Sequence, residues 1–379
     1  MASGRRLALS IGWVASILCL LACGNASARV EPRVRVLLYE DSAPIEVGPA
    51  SQPVSVTLGP GGRLRVAGQP HDAAWVPDGR GPWRVGSRVV RGEIQVRAAE
   101  GRIQVLNRID LEDYVASTVG GEMSPSWPAE ALRAQAVAAR TYVLYEAGRR
   151  RHAAWDVRAT AASQVYRGID AESKETRSAA RATAGEVLTW SGEPILAAFH
   201  STAGGRTAAA AEVWGEDLPY LRVVDVEGED EAPHTYWRTA LGRADLARRL
   251  ASADVAVGEL RTITVDRRSP SGRVARLLVR GSEGDATLGG RQLRDLLSDL
   301  GLRSTLFEIR VSDDAFVFVG SGYGHGVGMS QWGARAMAEQ GASYERILGR
   351  FYPGTRLERL SSRRLVGRGP RVAGREGGR

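Results

Sequence analysis

Gly120-Gly121-Glu122-Met123-Ser124-Pro125 stands just ahead of Leu132-Arg-Ala-Gln-Ala-Val-Ala-Ala-Arg-Thr-Tyr142, and much later comes Gly322-Tyr-Gly-His-Gly-Val-Gly-Met-Ser-Gln-Trp-Gly333. The first stretch offers a lone carboxyl beside a helix entrance. Two glycines before Glu122 and Pro125 after it predict a turn, where backbone comes close to its neighbours. Ser126 can cap the helix that follows, with Pro128 in its first turn. The helix is expected to run to about Glu146, with Gly148 as its stop. Leu132, Ala136, Ala139 and Val143 recur at helical spacing and form its apolar stripe. A carboxyl near such a helix start gains from the helix dipole when ionised, so a capping role competes with a catalytic one for Glu122.

The late stretch alternates glycine with other residues. If it is extended, one face is bare and Ser321, Tyr323, His325 and Val327 line the other. A bare face admits either a flat ligand, such as a sugar ring, or another strand. Ser330 is placed to cap a helix over Gln331–Gln340 that stops at Gly341. No Gly-Lys-Ser/Thr follows the glycines, which argues against a phosphate loop.

Outward from these motifs, residues 33–107 read as strands. Val34–Tyr39, Val54–Leu58, Arg63–Val66 and Glu93–Arg97 alternate apolar and polar residues between Gly and Pro clusters. A second helix is expected at Glu172–Thr183, stopped by Gly185. A hairpin should follow: Val187–Trp190, a turn at Ser191-Gly192, then Pro194–His200. Strands at Ile263–Asp266 and Arg273–Val279 and a helix at Leu293–Leu300 complete an α+β pattern.

The composition is that of an ordinary globular chain of 379 residues with net charge +8. Lys174 is its one lysine, so the basicity is nearly all arginine and reads first as composition bias. Arg5 and Arg6, the apolar run Leu7–Ala22 and Ala26-Ser27-Ala28 make an export signal with a small-residue cleavage site. Leu20-Leu21-Ala22-Cys23 supports a competing reading, a lipoprotein signal ending at Ala22 with Cys23 lipidated. Either reading places the mature chain outside the cytoplasm, and a nucleic-acid partner conflicts with both. Membrane attachment is expected only through such an N-terminal lipid. Cys19 and Cys23 are the only cysteines, so no disulfide, cysteine nucleophile or cysteine–zinc site is expected in the mature chain.

The histidines bear on two further chemistries. His200-Ser201 invites a serine-hydrolase reading, but adjacent strand residues point to opposite faces and no G-x-S-x-G elbow is present. His71, His152, His200, His234 and His325 are far apart and form no metal-ligand motif, so neither metal nor other cofactor is predicted.

Leu111-Glu-Asp-Tyr-Val115, Gly121-Glu-Met123, Leu132–Tyr142, Gln164-Val-Tyr166, Phe199-His-Ser-Thr-Ala-Gly-Gly205, Trp214, Pro219-Tyr-Leu221 and Gly322–Gly333 stand in one order. Together they resemble the stage II sporulation protein D (SpoIID/LytB) family over roughly residues 105–353. The resemblance implies a β-rich N-terminal region followed by a mixed helix/strand catalytic domain with a glycan-binding groove. It implies a peptidoglycan lytic transglycosylase, in which Glu122 is the acid/base and the product carries a 1,6-anhydro sugar. Arg140, Tyr142, Gln164, Tyr166, His200, Ser201, Tyr323, His325, Ser330 and Gln331 fall on candidate substrate-binding positions. The family also contains amidase enhancers, so a glycan-binding protein that stimulates a cell-wall amidase is the alternative. Some relatives bind zinc through cysteines between the Trp155-Asp-Val and Gln164-Val-Tyr stretches; none stands there here.

The expected organisation is a signal segment at 1–28, a β-rich region at 29–104 and a core with the Glu122 motif at 105–245. An α+β continuation at 246–319, the Gly-rich motif with C-terminal helices at 320–360 and a disordered basic tail at 361–379 follow.

Overall fold

A computed structural model describes residues 32–71, 74–78, 81–161 and 163–360. Both readings of the export signal, Cys23 included, and the predicted tail at 361–379 lie outside the described residues. The fold is α+β. Its helices are α1 Leu111–Glu122, α2 Ala129–Arg149, α3 Lys174–Ala182, α4 Ala210–Trp214, α5 Arg243–Ser252, α6 Gly290–Asp299, α7 Gln331–Glu339 and α8 Tyr344–Phe351.

Two apolar cores form. One gathers buried residues from Val34 to Tyr352, and the other, from Trp237 to Phe318, interrupts it in sequence. In the first, strand Arg33–Asp41 pairs antiparallel with Arg102–Asp110, which also pairs with Glu93–Ala99. Six short strands, including Val54–Leu58 and Leu64–Val66, make a second sheet. Alternation holds over the first half of that strand, where Val34 and Val36 are buried and Arg33 and Arg35 are more exposed, and gives way at Leu37 and Leu38, which are both buried. The expected boundary at 104/105 falls inside Arg102–Asp110, so the β-rich region and the helices after it share one core.

Helix α2 is the axis of that core. Its residues 134–141 are all buried, so it is enclosed on every side and not along one stripe. Its alanines let α1, α3, α7, α8 and strand Glu186–Trp190 approach closely. It begins at Ala129 with Pro128 in the cap position, and Gly148 lies within it. Ser126 does not cap it; its hydroxyl meets that of Ser124 at 2.9 Å.

Three further expectations are corrected. Gly120 and Gly121 do not form a turn but the last turn of α1, which ends on Glu122. Glycine is needed there for space: a Cβ at Gly120 would stand 1.8 Å from the Ala171 carbonyl oxygen, and one at Gly121 2.2 Å from that of Val165. Residues 194–200 are not one hairpin strand. Glu193–Pro194 pairs with Glu186–Trp190, but Phe199–His200 pairs in parallel with Met329–Ser330. The Gly-rich segment is not extended either. Gly322, Gly324, Gly326 and Gly328 all take positive φ, between 74° and 107°. The bare faces are filled by protein: a Cβ at Gly326 would meet the Arg273 guanidinium at 2.4 Å, and one at Gly328 the Ala198 carbonyl oxygen at 2.0 Å.

The second core belongs to a module from Tyr236 to Ser321. It holds two three-stranded antiparallel sheets with α5 and α6. Its first strand, Tyr236–Gly242, lies beside its last, Ala315–Ser321, so the chain enters and leaves at one edge.

Arg140 of α2 is fully buried. Its guanidinium pairs with both carboxylate oxygens of Glu112, at 2.9 and 2.5 Å, and donates to the carbonyls of Ala136, Ala180 and Glu186. Arg140→Met should therefore destabilise the fold by about 3–5 kcal/mol, because it strands a carboxylate and three carbonyls. Chemical denaturation checks this; a loss below about 0.5 kcal/mol contradicts it. Gly121→Ala should cost about 1–3 kcal/mol by overpacking. Gly349→Ala in α8, where a Cβ meets nothing within 4 Å, is the control and should gain up to about 1 kcal/mol. Equal melting shifts for the two would refute the packing argument.

Candidate active site around Glu122

Glu122 sits at the C-terminal end of α1, not at the entrance of the next helix. The negative end of the α1 dipole therefore disfavours its ionised form. Val165 donates its backbone N–H to Oε1 at 2.7 Å, and Gln331 Nε2 donates to Oε2 at 3.2 Å. Burial holds the carboxyl above its ordinary pKa, against the weaker opposing pull of these two donors and the Arg167 charge. The side chain keeps partial exposure. It is thus a carboxyl fixed by two donors and still partly accessible.

The Val165 contact depends on Gly121, which leaves room for the Val165 carbonyl. The buried neighbours of Val165 hold this segment in place. Gln164 accepts from the Tyr114 hydroxyl at 2.7 Å and donates to the Ala139 carbonyl. Tyr166 donates to Asn107 Oδ1 at 3.1 Å and stacks on Tyr114, ring centres 5.4 Å apart. Gln164 and Tyr166 are each about 1% exposed. They are corrected from substrate contacts to supports of the segment that reaches Glu122. The same correction applies to Arg140, whose donors are spent on Glu112 and helix carbonyls.

Gln331 opens α7, and Ser330 caps it by accepting the Gly333 N–H at 3.1 Å. Ser330 is fully buried and donates to the Glu229 carboxylate, so it is a structural cap and not a sugar ligand. Glu229 escaped the sequence reading. Its carboxylate also accepts the N–H groups of Ala203, Gly204 and Gly205, at 2.8, 2.9 and 3.2 Å. The Gly204-Gly205 pair was the available signal, since consecutive backbone N–H groups make an anion-binding nest.

Beside this lies a cleft of about 330 Å³ lined by Tyr142, Ser163, Leu196, Phe199, Trp214 and His325, with Ala161 and Ala198. Ser163 faces the cleft and Val165, two residues on, holds Glu122, so one short segment borders both. The His325 ring stands 5.3 Å from that of Trp214 and 5.5 Å from that of His200. His325 Nδ1 accepts the Val327 N–H, which makes it the neutral Nε2–H tautomer. Burial pushes its pKa down to about 4. His200 is buried and hydrogen-bonds the Val327 carbonyl through Nδ1; burial first, then His325 and Arg273, drives its pKa well below the usual range. Two neutral imidazoles thus back the cleft, and only His325 lines it.

Ser201 is half-buried. Its carbonyl accepts from Trp332 N–H, and no contact with His200 activates its hydroxyl. Tyr323 is exposed, outside the cleft lining, with its ring against His234 and under Arg303. Trp127 and Trp332 meet edge to face at 4.9 Å, and Arg335 covers both. Among the described residues no three His, Cys, Asp or Glu side chains converge as metal ligands. No helix among them is long and apolar enough to cross a membrane.

Comparison with known proteins gives this geometry a context. A family model described as Stage II sporulation protein matches residues 99–190, which include Glu122, Val165 and Arg140. A second, described as Domain of unknown function (DUF8618), matches residues 225–328 and so encloses the second core. The chain is 35% identical over 251 residues to an uncharacterized protein of Brachyspira hyodysenteriae, covering 66% of this chain and 67% of that one. It is 31% identical over 272 residues to Stage II sporulation protein D of Bacillus subtilis, covering 67% of this chain and 76% of the relative. The Amidase enhancer of the same organism is 32% identical over 284 residues, covering 63% of this chain but 39% of that longer protein. On these matches, the chain belongs to the stage II sporulation protein D family.

Proposed function

We propose that this protein is an exported peptidoglycan lytic transglycosylase in which Glu122 does both halves of the proton chemistry. The observation that carries the reading is a single carboxyl, held by two donors and shifted by burial toward its protonated form, beside an aromatic-walled cleft. A hydrolase of the usual type needs a second carboxyl as base or nucleophile. Glu229 is buried and saturated by three backbone N–H groups and Ser330, so it does not offer itself as that partner. One group suffices when the nucleophile is internal. Protonated Glu122 would give its proton to the glycosidic oxygen as the bond from C1 of the muramic sugar breaks. The carboxylate left behind would take the proton of the 6-hydroxyl as that oxygen bonds C1. The acid is thereby regenerated and a 1,6-anhydro end is formed. Val165 N–H and Gln331 would steady the carboxylate between the two steps.

The second reading, a glycan-binding amidase enhancer without turnover, rests on the amidase enhancer named above. Digestion of purified glycan strands, with the new ends read by mass spectrometry, separates the readings. Anhydro ends support the transglycosylase, hydrated ends a hydrolase, and no products the enhancer. Glu122→Gln should lower the rate by at least about 100-fold while glycan binding persists. Turnover within a few-fold of wild type by the folded variant refutes the assignment.

The pKa direction gives a linked test. The reactive form is protonated, so activity should fall as pH rises through the Glu122 pKa, which lies above the ordinary carboxyl value. The folded state binds this proton more tightly than the unfolded chain, so the ionised side chain costs stability at pH above the folded pKa. Glu122→Gln should therefore melt at or above wild type at neutral pH. The difference should shrink as pH falls below the unfolded value of about 4.3. A variant melting lower at neutral pH and equal at acid pH has the opposite sign and contradicts the shift.

A further inference from the structure

The junction between the inserted module and the main core holds a second, smaller cavity of about 130 Å³, roughly the liquid volume of four waters. Arg267, Arg273 and Arg294 line it, with Ser269, Thr305 and Gly290 from the module and Glu212 and Val213 from α4. Arg273 is 3% exposed, yet its guanidinium donates only to two carbonyls, Arg206 O and Ala203 O, both at 2.9 Å. Its Nε–H has no acceptor among the described residues. Glu212 and Glu229 are the carboxylates whose charge it feels, and neither hydrogen-bonds it. Arg294 is partly buried and carries no ion pair among the described residues. The cavity also meets the first turn of α6, through Gly290, Leu293 and Arg294. That helix end has no side-chain cap and no acidic residue in its first turn. A ten-residue helix in this state presents free N–H groups and a positive dipole end.

We infer that this cavity is a binding site for a small oxyanion, a carboxylate or phosphate group. Three guanidinium groups and an open helix N-terminus outweigh the one carboxylate, Glu212. Glu212 itself shapes the preference. Its Oε2 accepts from Ser271, while Oε1 is buried without a donor. A ligand that brings its own N–H or O–H beside the anion would satisfy Oε1 and Arg273 Nε together. An amino-acid carboxylate or a monoprotonated phosphate does so, and acetate does not. The site is separate from Glu122, but α4 joins the two regions: Glu212 and Val213 line this cavity and Trp214 lines the cleft.

The test is titration of the mature protein with inorganic phosphate, glycine or acetate, read by calorimetry and melting temperature against NaCl of equal ionic strength. Phosphate or glycine is expected to bind saturably and raise the melting temperature, with acetate at least several-fold weaker. Which of the two binds more tightly identifies the source of the anion. Arg267 is exposed and Arg294 partly so, and the doubly substituted Arg267→Gln/Arg294→Gln protein should fold and lose at least ten-fold in affinity. Glu212→Gln should narrow the gap between glycine and acetate. No shift beyond the NaCl control, or unchanged affinity in the double variant, overturns the site. These readouts do not depend on glycan cleavage, so their failure is distinct from failure of the proposed activity.

Discussion

Backbone pressed on backbone organises this molecule. The extended segment at 164–166 lies against the last turn of α1 with no side chain between them, because a Cβ at Gly121 would overlap the Val165 carbonyl. That closeness brings the Val165 N–H to the Glu122 carboxylate. The same segment is held from behind by Tyr114, Asn107 and the Ala139 carbonyl. Burying polar side chains is costly unless donors find acceptors, and the Tyr114, Gln164 and Tyr166 donors each find one here.

A second set of close approaches packs the Gly-rich segment. Gly326 lies over the Arg273 guanidinium, and Gly328 faces the Ala198 carbonyl. Arg273 ties the 203–206 loop by its carbonyls, while Glu229 ties it by its N–H groups. The inserted module thus contributes the guanidinium that lies beneath the Gly-rich segment, and it is joined to the main core at the level of the site.

Much of this was legible in the sequence. Strand alternation and the Ser330 cap both rest on local chemistry. What misled was glycine read for flexibility where the structure uses its small size. Gly120 and Gly121 suggested a turn because a helical glycine costs about 1 kcal/mol relative to alanine. Packing overrides that preference, and no local pattern announces Ala171 or Val165 as the neighbour. Arg140 stood among the substrate contacts by resemblance, and no local pattern marks its partner Glu112, which lies on another helix, 28 residues earlier. Glu229 has no motif at all; it is defined by three N–H groups of a loop 24–26 residues before it.

The hydrogen bond from Gln331 to Glu122 spans 209 residues. The whole second module lies between its two partners in sequence. Closing so long a loop costs entropy that the contacts it makes must offset. Without α7, Glu122 keeps only the Val165 donor. A chain truncated before residue 331 therefore lacks one of the two groups that fix this carboxyl.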